Sequence, residues 1–138
     1  MLHPKVLADL LDAEVAVARE RLGSRVTGIE RHGASVDLAY ISLDGRHVRV
    51  RFDGSRFDAE PFRVAVVDDH GEVLPHESWP PGLSLGAHPV HGRPFACLRG
   101  TYEYHTHPSH LEDSWDRYRP TLRLADLAHH ILTKGGRP

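Results

Sequence analysis

The stretch RVTGIERHGASVDLAYISLDGRHVRVRF, residues 25–52, alternates apolar and polar residues over three successive segments. Alternate side chains of a β-strand point to opposite faces, so this period of two predicts three strands that each bury one face. Turn residues separate the segments at His32-Gly33 and at Asp44-Gly45, and LDGR is typical of a two-residue hairpin loop. A fourth strand is predicted over residues 62–68, before the turn residues 69–71. The four segments together predict an antiparallel meander.

Helical periodicity flanks the meander on both sides. Pro4 suits the first turn of a helix that Gly23 ends. Its apolar stripe consists of Leu7, Leu10, Leu11, Val15, Ala18 and Leu22. Glu14 interrupts this stripe, because the helical period places it beside Leu7 and Ala18. Near the other end of the chain, Pro120 and Thr121 precede a helix that Gly135-Gly136 closes. Its stripe consists of Leu124, Leu127, Ala128, Ile131 and Leu132.

The connection between the meander and the last helix is long and irregular. Residues 72–100 contain five prolines and show no hydrophobic period. In a compact domain a connection of this length is usually functional. The order of helix, meander, long ordered loop and helix predicts an α+β fold, in a single domain that covers residues 1–138.

Composition excludes several function classes. The chain has 138 residues and a formal charge of −2, without the basic stripe that a nucleic-acid partner requires. Acidic residues interrupt the N-terminal segment, and no apolar run approaches the ~20 residues of a membrane span. The single cysteine excludes an intrachain disulfide and suits a reducing compartment. We therefore expect a cytoplasmic protein with neither nucleic-acid nor membrane partners, and the sequence leaves its oligomeric state open.

The segment CLRGTYEYHTHPSH, residues 97–110, concentrates groups that bind metals. Glu103, His105 and His107 are spaced by two, so their side chains share one face if TYEYHTH is a strand. Thiolate, imidazole and carboxylate together suit Zn²⁺, which usually takes four ligands. Cys97 and His110, at the two ends of the segment, complete a set of five candidate ligands for about four positions.

Two turns decide which of these candidates converge. A two-residue loop at Arg99-Gly100 turns Cys97 away from Glu103, whereas a three-residue loop from Arg99 to Thr101 brings both to one face. Pro108-Ser109 is a turn sequence that can fold His110 back toward the others. Cys97 can alternatively be a buried structural thiol.

Other polar residues nearby receive structural interpretations. His88 and His91 are interpreted as turn residues of the proline-rich loop. Glu112, Asp113 and Asp116 are interpreted as a solvated face or the start of a helix.

Read from end to end, the chain resembles the ubiquitin-conjugating fold, which has the same order of elements. RFDAEPF at 56–62 resembles the aromatic and proline loop before that family's fourth strand, and His88-Pro89 precedes Cys97 by nearly the family's spacing. Cys97-Leu98 resembles the catalytic cysteine-leucine pair. Trp115, followed by RPTL at 119–122, resembles the residues that open the family's next helix.

Two departures qualify what this resemblance implies. The family's signature asparagine is replaced by Val90, and the chain contains no asparagine at all. Valine has no donor with which to support a charged oxygen. The interval between Cys97 and Trp115 is about ten residues longer than usual in the family. In this respect the chain is similar to a bacterial branch of the fold that is predicted to bind metal through a cysteine, a glutamate and two histidines.

The resemblance and the segment 97–110 together imply a zinc-binding protein that meets protein partners of a bacterial ubiquitin-like pathway. The first alternative is an active conjugating enzyme in which Cys97 carries a ubiquitin-like protein as a thioester. A metallohydrolase, with an open metal position that activates water, is a further alternative. A cupin is disfavoured, because too few strands surround the His-x-His motif and no second histidine motif follows.

Overall fold

The computed structural model describes residues 2–137. Helix α1, Pro4–Leu22, comes first, and four strands follow: β1 Gly28–His32, β2 Ser35–Ile41, β3 His47–Asp53 and β4 Arg63–Val67. After the long connection come two short helices, α2 Tyr102–His105 and α3 Trp115–Tyr118, and a final helix, α4 Leu124–Gly135. This order confirms the predicted α+β fold, with an N-terminal helix, a four-stranded antiparallel meander, a long loop region and a C-terminal helix.

The meander forms one sheet in the order β1-β2-β3-β4, and all of its strand pairs are antiparallel. Because apolar and polar residues alternate along each strand, the apolar side chains lie together on one face of the sheet, where they are buried. That face consists of Ile29, Val36, Leu38, Tyr40, Val48, Val50, Phe52, Val64 and Val66. Burying a side chain of this size stabilises the fold by roughly 1.5–3 kcal/mol. The other face carries charged groups, among them Asp37 and Arg51, which form an ion pair with N–O distances of 2.8 and 2.9 Å.

The hairpin between β2 and β3 differs from the prediction in one detail. Ser42 donates its backbone N–H to the carbonyl of Arg46 at 2.9 Å, so the loop contains three residues, 43–45, and the predicted two-residue loop is wrong. Gly45 has a φ of 84° and closes a turn by donating to the Ser42 carbonyl. A three-residue loop with glycine in the left-handed region is the next commonest hairpin connection.

Helix α4 packs against α1, α1 contacts β1, and buried residues of both helices share one hydrophobic core with the apolar face of the sheet. The predicted stripe of α1 is buried except for Leu10, which is partly buried, and Gly23 ends the helix as expected. Glu14, the polar residue in that stripe, connects α1 to the start of α4 by hydrogen bonds. Its carboxylate accepts the Leu124 N–H at 3.1 Å and the Arg123 guanidinium at 3.0 Å. It therefore satisfies a free N–H at the start of α4, where a negative charge is favourable.

The long connection returns to the edge of the sheet at β4. Tyr102 donates its N–H to the Phe62 carbonyl at 2.8 Å, and Thr101 forms a parallel bridge with Phe62. This anchor places α2 against β4 and positions the segment 97–110. Within residues 2–137, no helix has the length and the apolar composition needed to cross a bilayer.

Candidate functional site

The segment 97–110 begins with a tight turn and continues as a helix. Thr101 donates its N–H to the Leu98 carbonyl at 3.1 Å, which closes a β-turn with Arg99-Gly100 at its centre. Gly100 has a φ of 97°, a conformation that favours glycine at this position of the turn. The Thr101 hydroxyl then caps α2 by accepting the Tyr104 N–H. The predicted turn at Arg99-Gly100 is present, but neither of the predicted hairpins forms.

The condition that TYEYHTH forms a strand is not met, because Tyr102–His105 is helical, so residues spaced by two do not share a face. Residues two apart share a face on a strand but are separated by about 200° on an α-helix. Glu103 and His105 consequently point in different directions from α2. The signal that identifies the helix is Thr101, an N-cap residue that follows a glycine turn.

Cys97 and His110 are brought together across the segment. The Cys97 Sγ lies 3.6 Å from the His110 Nε2. The predicted turn at Pro108-Ser109 is present as a 3₁₀ turn, Pro108–His110, which folds His110 back. The ring of Tyr104 stacks on His110 with centroids 4.1 Å apart and holds the imidazole in place. Cys97 is half-buried, and burial raises the pKa of its thiol, while the charge of Lys134 opposes this effect.

His107 lies next to this pair. Its ring centroid is 5.6 Å from that of His110. The His107 Nδ1 accepts the backbone N–H of Ser109 at 3.1 Å, which leaves its Nε2 as the ring nitrogen available to another partner. His107 therefore lies beside His110, with one ring nitrogen free of the bonds to Ser109.

His105 has hydrogen bonds at both ring nitrogens. Its Nε2 accepts the Gly100 N–H at 3.1 Å, so its Nδ1 carries the proton and donates to the Asp113 carbonyl at 2.6 Å. Burial lowers the pKa of His105. The neutral ring therefore links the glycine turn to the segment before α3.

Glu103 is buried against the sheet and is only 2% exposed. Its Oε1 accepts the Val64 N–H on the free edge of β4 at 2.9 Å, and its Oε2 lies 3.9 Å from the Arg93 guanidinium. Burial raises the pKa of Glu103 to about 7, although the bond from Val64 acts in the opposite direction. The carboxyl group therefore faces β4, whereas Cys97 faces His110.

His88 has the structural role expected of a turn residue. It is buried, and its Nδ1 accepts the N–H groups of Val90 and His91 at 3.1 and 3.2 Å. The His88 Nε2 therefore donates to the Glu103 carbonyl at 2.9 Å. The ring joins the proline-rich loop to α2. Val90, which replaces the asparagine of the resembled family, is exposed.

Asp113 is the residue whose importance the sequence does not reveal. Its carboxylate accepts the hydroxyls of Tyr118 at 2.6 Å and Tyr104 at 2.7 Å, and it pairs with Arg99 at 3.1 Å. These contacts hold the pKa of Asp113 well below its usual range, and the bond from Tyr118 has the largest effect. Asp113 thus organises the segment between α2 and α3, and the prediction of a solvated face is wrong for it.

The five predicted ligands consequently divide into two groups. Cys97, His107 and His110 lie at one corner, while Glu103 and His105 make hydrogen bonds elsewhere. No three His, Cys, Asp or Glu side chains within residues 2–137 are already arranged around a common metal position. Neither the protein-family models nor the curated proteins compared with this chain give a match.

Proposed function

We propose that the protein is a cytoplasmic zinc-binding member of the ubiquitin-conjugating fold class that meets protein partners in a bacterial ubiquitin-like pathway. The order of helix, meander, long loop and helix supports the fold class. The positions of His88, Cys97 and Trp115 along the chain support it too. The observation that carries the metal proposal is the contact between Cys97 and His110.

The length of that contact matches the geometry of zinc ligands. In a tetrahedral site with sulfur at about 2.3 Å and nitrogen at about 2.0 Å, the two ligand atoms stand about 3.5 Å apart. The Cys97 Sγ and the His110 Nε2 are 3.6 Å apart. Because the Tyr104 ring holds His110, these two atoms can accept a metal without moving apart.

His107 is the third ligand in this proposal, through its Nε2. Its backbone carbonyl accepts the His110 N–H, so it lies one turn from His110, and its ring would have to rotate and release the exposed bonds to Ser109 in order to bind the metal. Glu103 and His105 are left out, because binding would require each to give up buried hydrogen bonds. Three protein ligands leave one position for water or for a partner group. The bound ion would supply charge that keeps the thiolate ionised, despite the burial that raises the pKa of the Cys97 thiol.

Zinc content of single variants tests this assignment. We expect about one zinc per chain in the untagged protein, and loss of the metal in Cys97→Ala and His110→Ala. His107→Ala should bind zinc more weakly. Glu103→Gln and His105→Gln are the matched controls, because both remain near the site but keep their metal. Retention of zinc by Cys97→Ala, or loss of zinc only in Glu103→Gln and His105→Gln, contradicts the proposal.

The same contact favours a second function, in which Cys97 is the nucleophile of a conjugating enzyme and His110 accepts its proton. The half-exposed thiol is accessible for such a reaction, but burial raises its pKa, and Val90 offers no side-chain donor. The rate of alkylation of Cys97 before and after chelation separates the two functions. A thiol that becomes reactive only after chelation is a metal ligand. A thiol that is reactive throughout, and forms a thioester with a ubiquitin-like protein when an activating enzyme is supplied, is a nucleophile.

A further inference from the structure

A small cavity opens on the charged face of the sheet, where β4 forms the edge. Its volume is about 190 Å³. Glu103 forms part of its wall, and Cys97 does not line it. Its charged lining residues are Arg51, Arg63, Arg93, Asp53 and Glu103, and its apolar ones include Ala65 and Val73.

Two of the three arginines in this cavity have no close carboxylate partner. Arg51 is neutralised by its bidentate pair with Asp37. Arg63 lies over the Tyr102 ring at 4.1 Å, which fixes its direction without neutralising its charge. Arg93 has only a long contact, 3.9 Å, with the Glu103 carboxylate. The cavity thus presents two guanidinium groups that can bind one carboxylate.

The cavity also presents an acceptor that is almost completely buried. Glu103 is 2% exposed, and its Oε1 already accepts a hydrogen bond from the Val64 N–H. Its Oε2 has the Arg93 guanidinium at 3.9 Å, a distance too long for a hydrogen bond. A buried carboxylate is costly unless it is paired and hydrogen-bonded, so a cationic donor in the cavity would satisfy it.

The remaining wall contains the Asp53 carboxylate, which lies opposite Arg63 in the register of β3 and β4, together with apolar side chains. Ala65 is on β4, and Val73 follows it on the strand-like segment that bridges to β4. The side chain of Val73 is exposed, so a ligand in the cavity would cover it. The cavity is smaller than the ~300–1,000 Å³ of sites for drug-sized ligands. This size excludes a nucleotide and suits a molecule with a few heavy atoms.

From this arrangement we propose that the cavity binds a small zwitterion with the chemistry of an α-amino acid. Its carboxylate lies between Arg63 and Arg93, and its ammonium group donates to the Glu103 Oε2. Its short aliphatic side chain contacts Ala65 and Val73. The negative and positive groups of one small molecule would thereby pair with the two arginines and with Glu103, which have no close partners of their own. This inference does not depend on the proposed metal, whose ligands lie at another corner.

Isothermal titration calorimetry of the full chain with L-alanine and L-valine tests the inference. Two derivatives of alanine serve as matched probes. N-acetyl-L-alanine lacks the ammonium group, and L-alaninamide lacks the carboxylate. We expect the amino acids to bind with a Kd below about 1 mM, and both derivatives to bind at least ten times more weakly.

Variants assign the binding to this cavity. Arg63→Gln and Arg93→Gln should each weaken L-alanine binding about tenfold, the effect of losing about 1.4 kcal/mol. Arg49→Gln lies on the same face of the sheet outside the cavity and should leave binding unchanged. Equal binding of inorganic phosphate or N-acetyl-L-alanine would show an anion site and overturn the proposal. Absence of binding by both amino acids overturns it as well. Zinc content, measured on the same variants, should stay constant and keeps this test separate from that of the metal.

Discussion

Replacing Glu103 with glutamine should change how the stability of the protein depends on pH. Burial raises the pKa of this carboxyl from the 4.5 of an unburied glutamate to about 7. Between these two values the folded protein holds more protons than the unfolded chain does, so its stability falls as pH rises. The favourable contribution of the protonated group is complete below about pH 4.5 and is lost once the pH passes about 7.

The size of the effect follows from the interval between the two pKa values. At about 1.4 kcal/mol for each pH unit, the ionised form costs the folded state about 3 kcal/mol. Glutamine stays neutral at every pH, and its side-chain oxygen can still accept the Val64 N–H. The free energy of unfolding of Glu103→Gln, minus that of the wild type, should therefore increase by about 3 kcal/mol from about pH 4.5 to about pH 8.

Urea unfolding of the metal-free protein at a series of pH values measures this difference. Subtraction of the wild type removes the contributions of the other titrating groups. Glu112→Gln is the matched control, because Glu112 is exposed and its replacement should give a difference that does not change with pH. A flat difference for Glu103→Gln would mean that the carboxylate is fully paired or hydrated, and would refute the reasoning.

Two further substitutions test the structure of the segment 97–110. Gly100→Ala should destabilise the protein by about 1–2 kcal/mol in urea unfolding, because its φ is 97° and a Cβ would lie 3.0 Å from the Leu127 Cδ2. Gly82→Ala should cost less, since Gly82 has a φ of 80° but open space around it, and equal losses would contradict the packing argument. Asp113→Asn should speed hydrogen exchange in residues 102–118, because the amide cannot replace a carboxylate that accepts two tyrosine hydroxyls and an arginine. Asp116→Asn is its exposed control, and equal exchange in both variants would show that Asp113 does not order the segment.

The main elements were predictable because their signals are redundant. In β2 and β3, apolar residues repeat with a period of two over seven positions each, and a single misplaced residue cannot hide that pattern. Helix α1 has a stripe, a proline at its start and a glycine at its end. The exact loop of the β2–β3 hairpin was less predictable, because Asp44-Gly45 suits a two-residue turn as well as the last two positions of a three-residue loop.

The geometry of the candidate site was less predictable for a different reason. TYEYHTH contains aromatic and β-branched residues, which local propensity assigns to a strand. The backbone instead follows a tertiary contact, because Tyr102 donates its N–H to the Phe62 carbonyl about forty positions earlier, and no local pattern contains this bond. The only local signal for the helix is Thr101, whose hydroxyl caps it.

The hydrogen bonds around Asp113 also change what a metal would do in this protein. The carboxylate joins Tyr104 to Tyr118, and the Asp113 carbonyl accepts a hydrogen bond from the His105 Nδ1, so the segment between α2 and α3 is ordered by its own side chains. A zinc ion at Cys97 and His110 would then bind a corner that is already folded, unlike the metal of a zinc finger, which folds only when the ion binds. A bound zinc ion would therefore add local rigidity and keep the Cys97 thiolate coordinated, without being needed for folding. The fold itself rests on the apolar face of the sheet and on α1 and α4.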